Sequence, residues 1–273
     1  MSEAVDTGAF ADWVGRKRVT EDIVSERLTA GFRATLSPHL APLEEAPLGI
    51  HWCLAPDMVE AADLGPDGHP RQGLVLPAVP FGNRMWAGGA LTFHAPLSVG
   101  DRIEKISTIE DIAFKSGRTG RLCFVRVRHT YAVAGTLMIN ERQDIVYREE
   151  VARASAAATV PGPPIAQDDL VRTVAADPVL LMRYSALTFN GHRIHYDHPY
   201  ATGVEGYTGL VVHGPLQATL ILNLAATALG RALSTSTSVA YLNEPRWLWS
   251  AALPQSDVWT TRALRVGGRL VLT

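Results

Sequence analysis

Strand-like segments crowd the first half of the chain. Residues 90–97, 101–112, 122–133 and 137–148 read as strands, separated by turns at Gly100, at 116–120 and at Gly135. The third, LCFVRVRHTYAV, alternates apolar and polar positions over much of its length, as a sheet with one buried face requires. Successive strands with short connections predict an antiparallel sheet. Ahead of them, Thr20 is placed to cap a helix, Glu21 and Asp22 suit its positive end, Ile23, Leu28 and Phe32 fall roughly on one face, and Pro38 ends it. A Gly/Pro-rich loop, LGPDGHPRQG, occupies 64–73.

The second half repeats the plan loosely. A helix is predicted over 177–189, then a loop rich in His, Tyr and Gly, then an apolar helix over 215–231 with Pro215 at its first position. Leu216, Leu220, Ile221, Leu224 and Leu229 make that helix apolar on most sides, so a curled sheet should wrap it. Strands follow at 237–242, 257–266 and 269–273, the last two joined through Gly267 and Gly268. The sheet would want one more antiparallel partner there. Residues 151–165, VARASAAATVPGPPI, break the pattern and read as a linker between halves at 1–150 and 166–273.

Composition narrows the classes. A chain of 273 residues with 47% hydrophobic and 19% charged residues has a core, and its net charge of -2 excludes the basic face of a nucleic-acid binder. Two cysteines, Cys53 and Cys123, exclude a disulfide scaffold or cysteine zinc site and fit a cytoplasmic location. The acidic N-terminus shows no secretory signal. The uncharged run 206–230 is long enough for a bilayer, but His213, Gln217 and Asn223 within it favour a helix buried in protein over a membrane span.

Candidate chemistry concentrates in 184–200, YSALTFNGHRIHYDHPY, followed by Val211, Val212, His213 and Gly214 at the start of the apolar helix. Three readings compete. His192, His195 and His198 recur every third residue, as metal ligands can, but Gly191 and Pro199 weaken a helix there. The histidines can also be packing residues with no shared role. The third reading is acid–base catalysis on a carbonyl compound. Neutral His195 can take a proton from water. Asn190 can hold a water or a substrate oxygen but is no base. The helix opening at Gly214 offers free N–H groups and partial positive charge to a developing oxyanion, and Gly214 allows close approach.

The stretch TFNGHRIHYDHPYA, with LVVHGPL after it, resembles the hydratase motif of the MaoC-like hot-dog superfamily. In that motif an Asp and a His form the catalytic dyad, and a Gly before the central helix supplies the oxyanion N–H. His195 matches the His and Gly214 the Gly; Asn190 stands at the Asp position, and His192 and Arg193 replace an Asn-Pro pair. This departure is similar to a narrower branch, the type 2 hydroxyacyl-thioester dehydratases and mesaconyl-CoA hydratases. LGPDGHPRQG, PAVPFGNRMWAGGALTFHAPLSVGD, FKSGRTGRLCFVRVRH and ERQDIVYRE support the same branch.

The resemblance implies an α+β double hot-dog fold, two tandem antiparallel sheets each wrapped around a helix, with a non-catalytic first half shaping the acyl tunnel. It implies a cytoplasmic hydro-lyase adding water to an enoyl-CoA, with mesaconyl-CoA or itaconyl-CoA favoured, and with His195, Asn190 and Gly214 as the catalytic set. Arg84, Trp86, Tyr184, His192, Arg193 and His213 are the expected substrate-binding residues. Arg84 can equally be a rim residue, Arg193 can equally salt-bridge Asp197, and Tyr184 can simply pack its helix. Neither a bound cofactor nor a metal is expected. The partner is an acyl-CoA or an acyl carrier protein thioester, with a homodimer plausible and no nucleic acid or membrane. The rival functions are a 3-hydroxyacyl-carrier-protein dehydratase of fatty-acid synthesis, a non-catalytic acyl-CoA-binding protein, and a thioesterase using Asp197 or Glu205.

Overall fold

The computed structural model describes residues 7–117, 120–149, 170–229, 237–242, 258–266 and 269–272. Strand β1 (Lys17–Ile23) corrects the first expectation, because Thr20 caps no helix. Its residues alternate between exposed and half-buried, Val19, Thr20 and Ile23 are β-branched, and the whole segment pairs antiparallel with β3 (Arg102–Gly117). Helix α1 (Glu26–Leu36) starts later, where the Ser25 hydroxyl accepts from the Leu28 N–H at 3.1 Å. Such a cap is worth about 1 kcal/mol. Leu28, Phe32 and Leu36 recur every fourth residue and form its buried face.

The remaining first-half strands are β2 (Asn83–Phe93), β4 (Gly120–Val133) and β5 (Thr136–Arg148). β2 begins earlier than the sequence suggests, since Gly88 and Gly89 lie inside it at a bulge that shifts the register after Trp86. In the second half come β6 (Leu170–Ala175), α2 (Pro178–Thr188), α3 (His198–Gly203), α4 (Gly214–Leu229), β7 (Thr237–Leu242), β8 (Val258–Val266) and β9 (Arg269–Leu272). The 151–165 stretch lies outside the described residues.

Among the described residues all the strand pairings are antiparallel. One sheet runs β1-β3-β4-β5-β2-β7 and the other β6-β8-β9, so β7 of the second half closes the first-half sheet against β2. Helix α4 lies on β8, with β6 and β9 beside it. Each sheet thus has its helix: Leu28, Phe32 and Leu36 of α1 pack in one cluster with Leu91, Phe93, Ile103, Tyr131 and Ile139 of the first sheet, and α4 lies on the second. Between α1 and β2 the chain forms only short 3-10 turns, at Ile50–Cys53 and Ala61–Asp63. Eight prolines between positions 38 and 80 forbid a long helix there. Leu76, Val79 and Phe81 pack instead against Val125, Val127, Ile145 and Tyr147 of the sheet.

The other core cluster joins the halves, with Phe32, Leu91, Phe93 and Tyr131 packing in one body with Leu181, Tyr184, Leu216 and Leu220. The polar residues of α4 face this junction. Asn223 accepts from the Ala41 N–H at 3.1 Å and donates to the Leu48 carbonyl at 3.0 Å and the Thr219 carbonyl at 2.8 Å. Buried amides satisfied in this way belong to a protein interior. No helix among the described residues is long and apolar enough to cross a membrane.

Candidate active site

The site begins where α2 ends. Asp177 caps the start of this helix by accepting from the Leu180 N–H at 2.8 Å. At the far end Phe189 takes a left-handed conformation, φ 54°, which turns the chain out of the helix. Asn190 follows, and its Oδ1 accepts from the His192 N–H at 2.9 Å. That bond fixes the amide orientation, because the carbonyl oxygen is used locally and Nδ2 remains as a donor.

His195 ends the next 3-10 turn, Arg193–His195. Its Nδ1 lies 2.6 Å from the Val211 carbonyl oxygen, and Val211 N–H returns a bond to Ile194 O at 3.0 Å. A carbonyl can only accept, so Nδ1 carries the hydrogen and Nε2 presents its lone pair. Nε2 has no hydrogen-bond partner among the described residues. The ring stacks on His213 with centroids 3.6 Å apart and 18° between planes. His213 Nε2 is in turn 2.8 Å from the Ser185 hydroxyl, and the Tyr184 ring stands edge-on to His213 at 5.1 Å. Tyr184 is fully buried, with its hydroxyl 3.3 Å from Thr219 Oγ1.

Burial is the dominant influence on these imidazoles. It lowers His195 to about 4, with the Val211 bond opposing and His69 assisting. His192 and His213 are pushed down by burial and then by their neighbouring rings. All three are therefore neutral at pH 7, the form a proton acceptor needs.

Gly214 opens α4 directly after His213, so its N–H belongs to the first turn, whose donors lack intrahelical acceptors. Trp86 of β2 covers it: a Cβ added to Gly214 would lie 2.0 Å from Trp86 Cε3. Trp86 in turn meets Trp52 edge-on at 6.1 Å. Gly214→Ala should displace the indole. We expect kcat/KM to fall at least tenfold, about the loss of part of one oxyanion donor, with stability lowered by about 1–3 kcal/mol through overpacking. Kinetics and calorimetry on the one variant would check both, and an unchanged rate would remove Gly214 from the site.

Arg193 behaves otherwise. Its Nε and Nη2 donate to Asp197 at 2.9 and 2.7 Å, Nη1 donates to the Pro66 carbonyl at 3.0 Å, and the guanidinium lies 4.0 Å from the centroid of Tyr200. Of its two readings, the salt bridge is the one realised. His198 stands at the head of α3; no cluster of potential metal ligands among the described residues includes it.

The loop at 64–73 supplies what the sequence reading missed. Arg193 N–H donates to Asp67 O at 2.9 Å, and Gly68 meets Gly191 backbone to backbone, so closely that a Cβ on Gly68 would lie 1.9 Å from Gly191 O. Pinned there, the loop places the His69 ring 4.1 Å from His192, which is 5.4 Å from His195. Asp67 Oδ2 holds His69 Nδ1 at 2.9 Å. The Asp-Gly sequence foretells the turn but not the half it docks on. Asp67, His69 and His192 offer ligand atoms within 4.8 Å of one another. Arg84 lies near enough to lower the pKa of all three, and that positive charge opposes a divalent ion at the same point.

Comparison with known proteins adds a lineage to this geometry. Residues 49–243 match the family described as hydroxyacyl-thioester dehydratase type 2. The chain is 45% identical over 216 residues to mesaconyl-C(4)-CoA hydratase of Chloroflexus aurantiacus, covering 78% of this chain and 77% of that one. It is 29% identical over 240 residues to the mitochondrial hydroxyacyl-thioester dehydratase type 2 of Schizosaccharomyces pombe, covering 76% and 78%. Among solved structures, a MaoC-like dehydratase from Phytophthora capsici superposes with a TM-score of 0.63 at 14% identity, over 96% of this chain and 90% of that one. The fold is the α+β double hot-dog.

Proposed function

Because this chain belongs to the hydroxyacyl-thioester dehydratase type 2 family, we propose that it is a hydro-lyase that adds water reversibly to the double bond of an enoyl-CoA, with His195 as the proton acceptor. The observation that carries this reading is the His195 tautomer, with Nδ1–H tied to Val211 O and Nε2 unbonded beside the opening turn of α4.

The chemistry follows from the atoms present. Asn190 Nδ2 donates to a lone pair of the water, leaving the water protons for His195 Nε2. His195 takes one proton as the water oxygen bonds to the β-carbon. The π pair moves toward the thioester oxygen, where the Gly214 N–H and the helix end stabilise the enolate by about 3 kcal/mol. The imidazolium then gives its proton to the α-carbon and the carbonyl re-forms. Water is consumed, no electron leaves the system, and the base returns to its starting state. His213 and Ser185 keep the ring in place, so both act as positioning residues.

Within this class we favour a short branched dicarboxylic acyl group, mesaconyl-CoA or itaconyl-CoA, supported by the 45% relative. A panel of mesaconyl-CoA, itaconyl-CoA and crotonyl-CoA, followed by loss of enoyl absorbance, tests it. We expect one of the first two to be hydrated fastest. Activity on crotonyl-CoA alone would instead support the fatty-acid dehydratase reading, which the 29% mitochondrial relative favours. Saturable binding without turnover of any of them would leave an acyl-CoA-binding protein.

A further inference from the structure

An indole bounds the space beside Gly214. A Cβ on Gly214 would lie 2.0 Å from Trp86 Cε3, so the ring rests directly against the opening turn of α4. On β2, Trp86 is the residue partner of Ile145 of β5, and Arg84 is the partner of Tyr147, so Arg84, Trp86 and Ile145 rise from one face of the sheet. Ile145 and Arg84 line a cleft of about 240 Å³ whose other walls include Leu76, Ile109 and Val127, and every described residue around it belongs to the first half. Trp86 therefore has the reacting centre on one side and this cleft on the other.

The indole is braced in that place. Trp52 meets it edge-on, with centroids 6.1 Å apart, and Trp52 is itself fixed at two points: its Nε1 donates to Glu141 Oε1 at 2.9 Å, and the His51 ring lies 4.3 Å away. Glu141 is buried, and Glu141, Gln143 and Ile145 alternate onto the same face of β5. Both indoles are only half-buried, so each keeps surface for a ligand. Behind them the polar groups of the cleft largely satisfy one another. The Ser107 hydroxyl is 2.8 Å from His129 Nδ1, His129 Nε2 is 3.2 Å from Gln143 Oε1, and Arg18 is paired with Asp57. Arg84, on a long flexible stem, can turn its guanidinium to water. An alkyl chain in the cleft would thus meet apolar walls at little polar cost, and what keeps it out is the ring.

We infer that Trp86, braced by Trp52 and Glu141, is the length stop of the acyl pocket: it closes the reacting centre against the first-half cleft, so that long linear acyl thioesters are rejected by collision with the ring. Glu141 and Trp52 are positioning residues for that stop. Exclusion of this kind is asymmetric. An acyl group shorter than the pocket loses only contacts, whereas a longer one has to displace a braced aromatic ring. The stop reads length and is indifferent to charge at the acyl end. Removing the ring joins two spaces into one, and each methylene then buried should favour binding by about fourfold.

This inference rests on the hydratase reading, and its tests separate the two. Linear enoyl-CoA thioesters of four, six and eight carbons are compared on the wild-type protein and on Trp86→Ala. We expect the wild-type kcat/KM to fall at least about thirtyfold from crotonyl-CoA to octenoyl-CoA. In Trp86→Ala the ratio of octenoyl-CoA to crotonyl-CoA should rise by a similar factor, whatever the variant loses on crotonyl-CoA, and damage to the fold cannot imitate that gain. Trp86→Phe should fall between. Ser107→Phe, which fills the cleft, should cancel the gain in Trp86→Ala and leave the wild-type rate on crotonyl-CoA unchanged. Equal wild-type kcat/KM across lengths, no gain in Trp86→Ala, or a gain that survives Ser107→Phe overturns the stop. Should Trp86→Ala not fold, Trp86→Phe and the wild-type profile decide. If the wild-type protein turns over none of the linear series, calorimetric binding of butyryl-CoA against octanoyl-CoA decides: tighter butyryl-CoA binding supports the stop, and equal or weaker binding overturns it. Inertness on mesaconyl-CoA and itaconyl-CoA as well would refute the hydratase reading without touching that comparison.

Discussion

His195→Ala is expected to lower kcat on the best enoyl thioester by at least about a hundredfold, the lower end of what a positioned general base contributes. The effect should fall on kcat more than on KM, because the imidazole acts on the water and not on the bound acyl group. Steady-state absorbance assays measure it. His195→Gln is the control: an amide can refill the space over His213 and donate to Val211 O, but it cannot accept a proton near neutrality. Both variants should therefore be slow, with Gln the better folded. A His195→Ala protein working at full rate would end the base assignment, and the water would then need another acceptor.

A second large effect is expected on acidification. Three histidines are held far below the usual value near 6.5: the buried His51 at about 3 and His195 at about 4, and the half-buried His129 at about 3. Burial is the main cause in each, and the Lys105 ammonium lowers His51 and His129 further. The unfolded chain binds protons at these rings from about pH 6.5 downward, whereas the folded chain refuses them until much lower pH. Stability is thus full above that point and declines as pH falls toward the folded values. Each such proton contributes about 1.4 kcal/mol per pH unit, so the three give up to about 4 kcal/mol per unit. Between about pH 7 and about pH 5 the thermal midpoint should drop by more than about 10 °C. Calorimetry at the two pH values checks this, and a flat midpoint would contradict the burial of these rings. His129→Gln should flatten the slope, since Gln does not titrate.

The chain itself discloses much of this arrangement. β4, β5, α2 and α4 are legible because alternation, an Asp cap and a long apolar run each name one kind of element. β1 misleads, because acidic residues after Thr20 imitate a helix start, and only pairing with β3 decides for a strand. β2 is shortened on paper by Gly88 and Gly89, which mark a bulge and not an end. At the site, the His213 and Gly214 pair and His195 stand out because one local segment brings them close. Asp67 and His69 stay hidden, as they lie more than a hundred positions earlier and reach the motif only through backbone contacts. Ser185 and the Val211 carbonyl are invisible for a related reason: one is a hydroxyl among many, and the other is not a side chain.

The touching point of Gly68 and Gly191 reaches further than local packing. Neither position has room for even a methyl group, because each faces the backbone of the other. A side chain added at either glycine is therefore expected to push the loop bearing Asp67 and His69 away from the segment bearing His192 and His195.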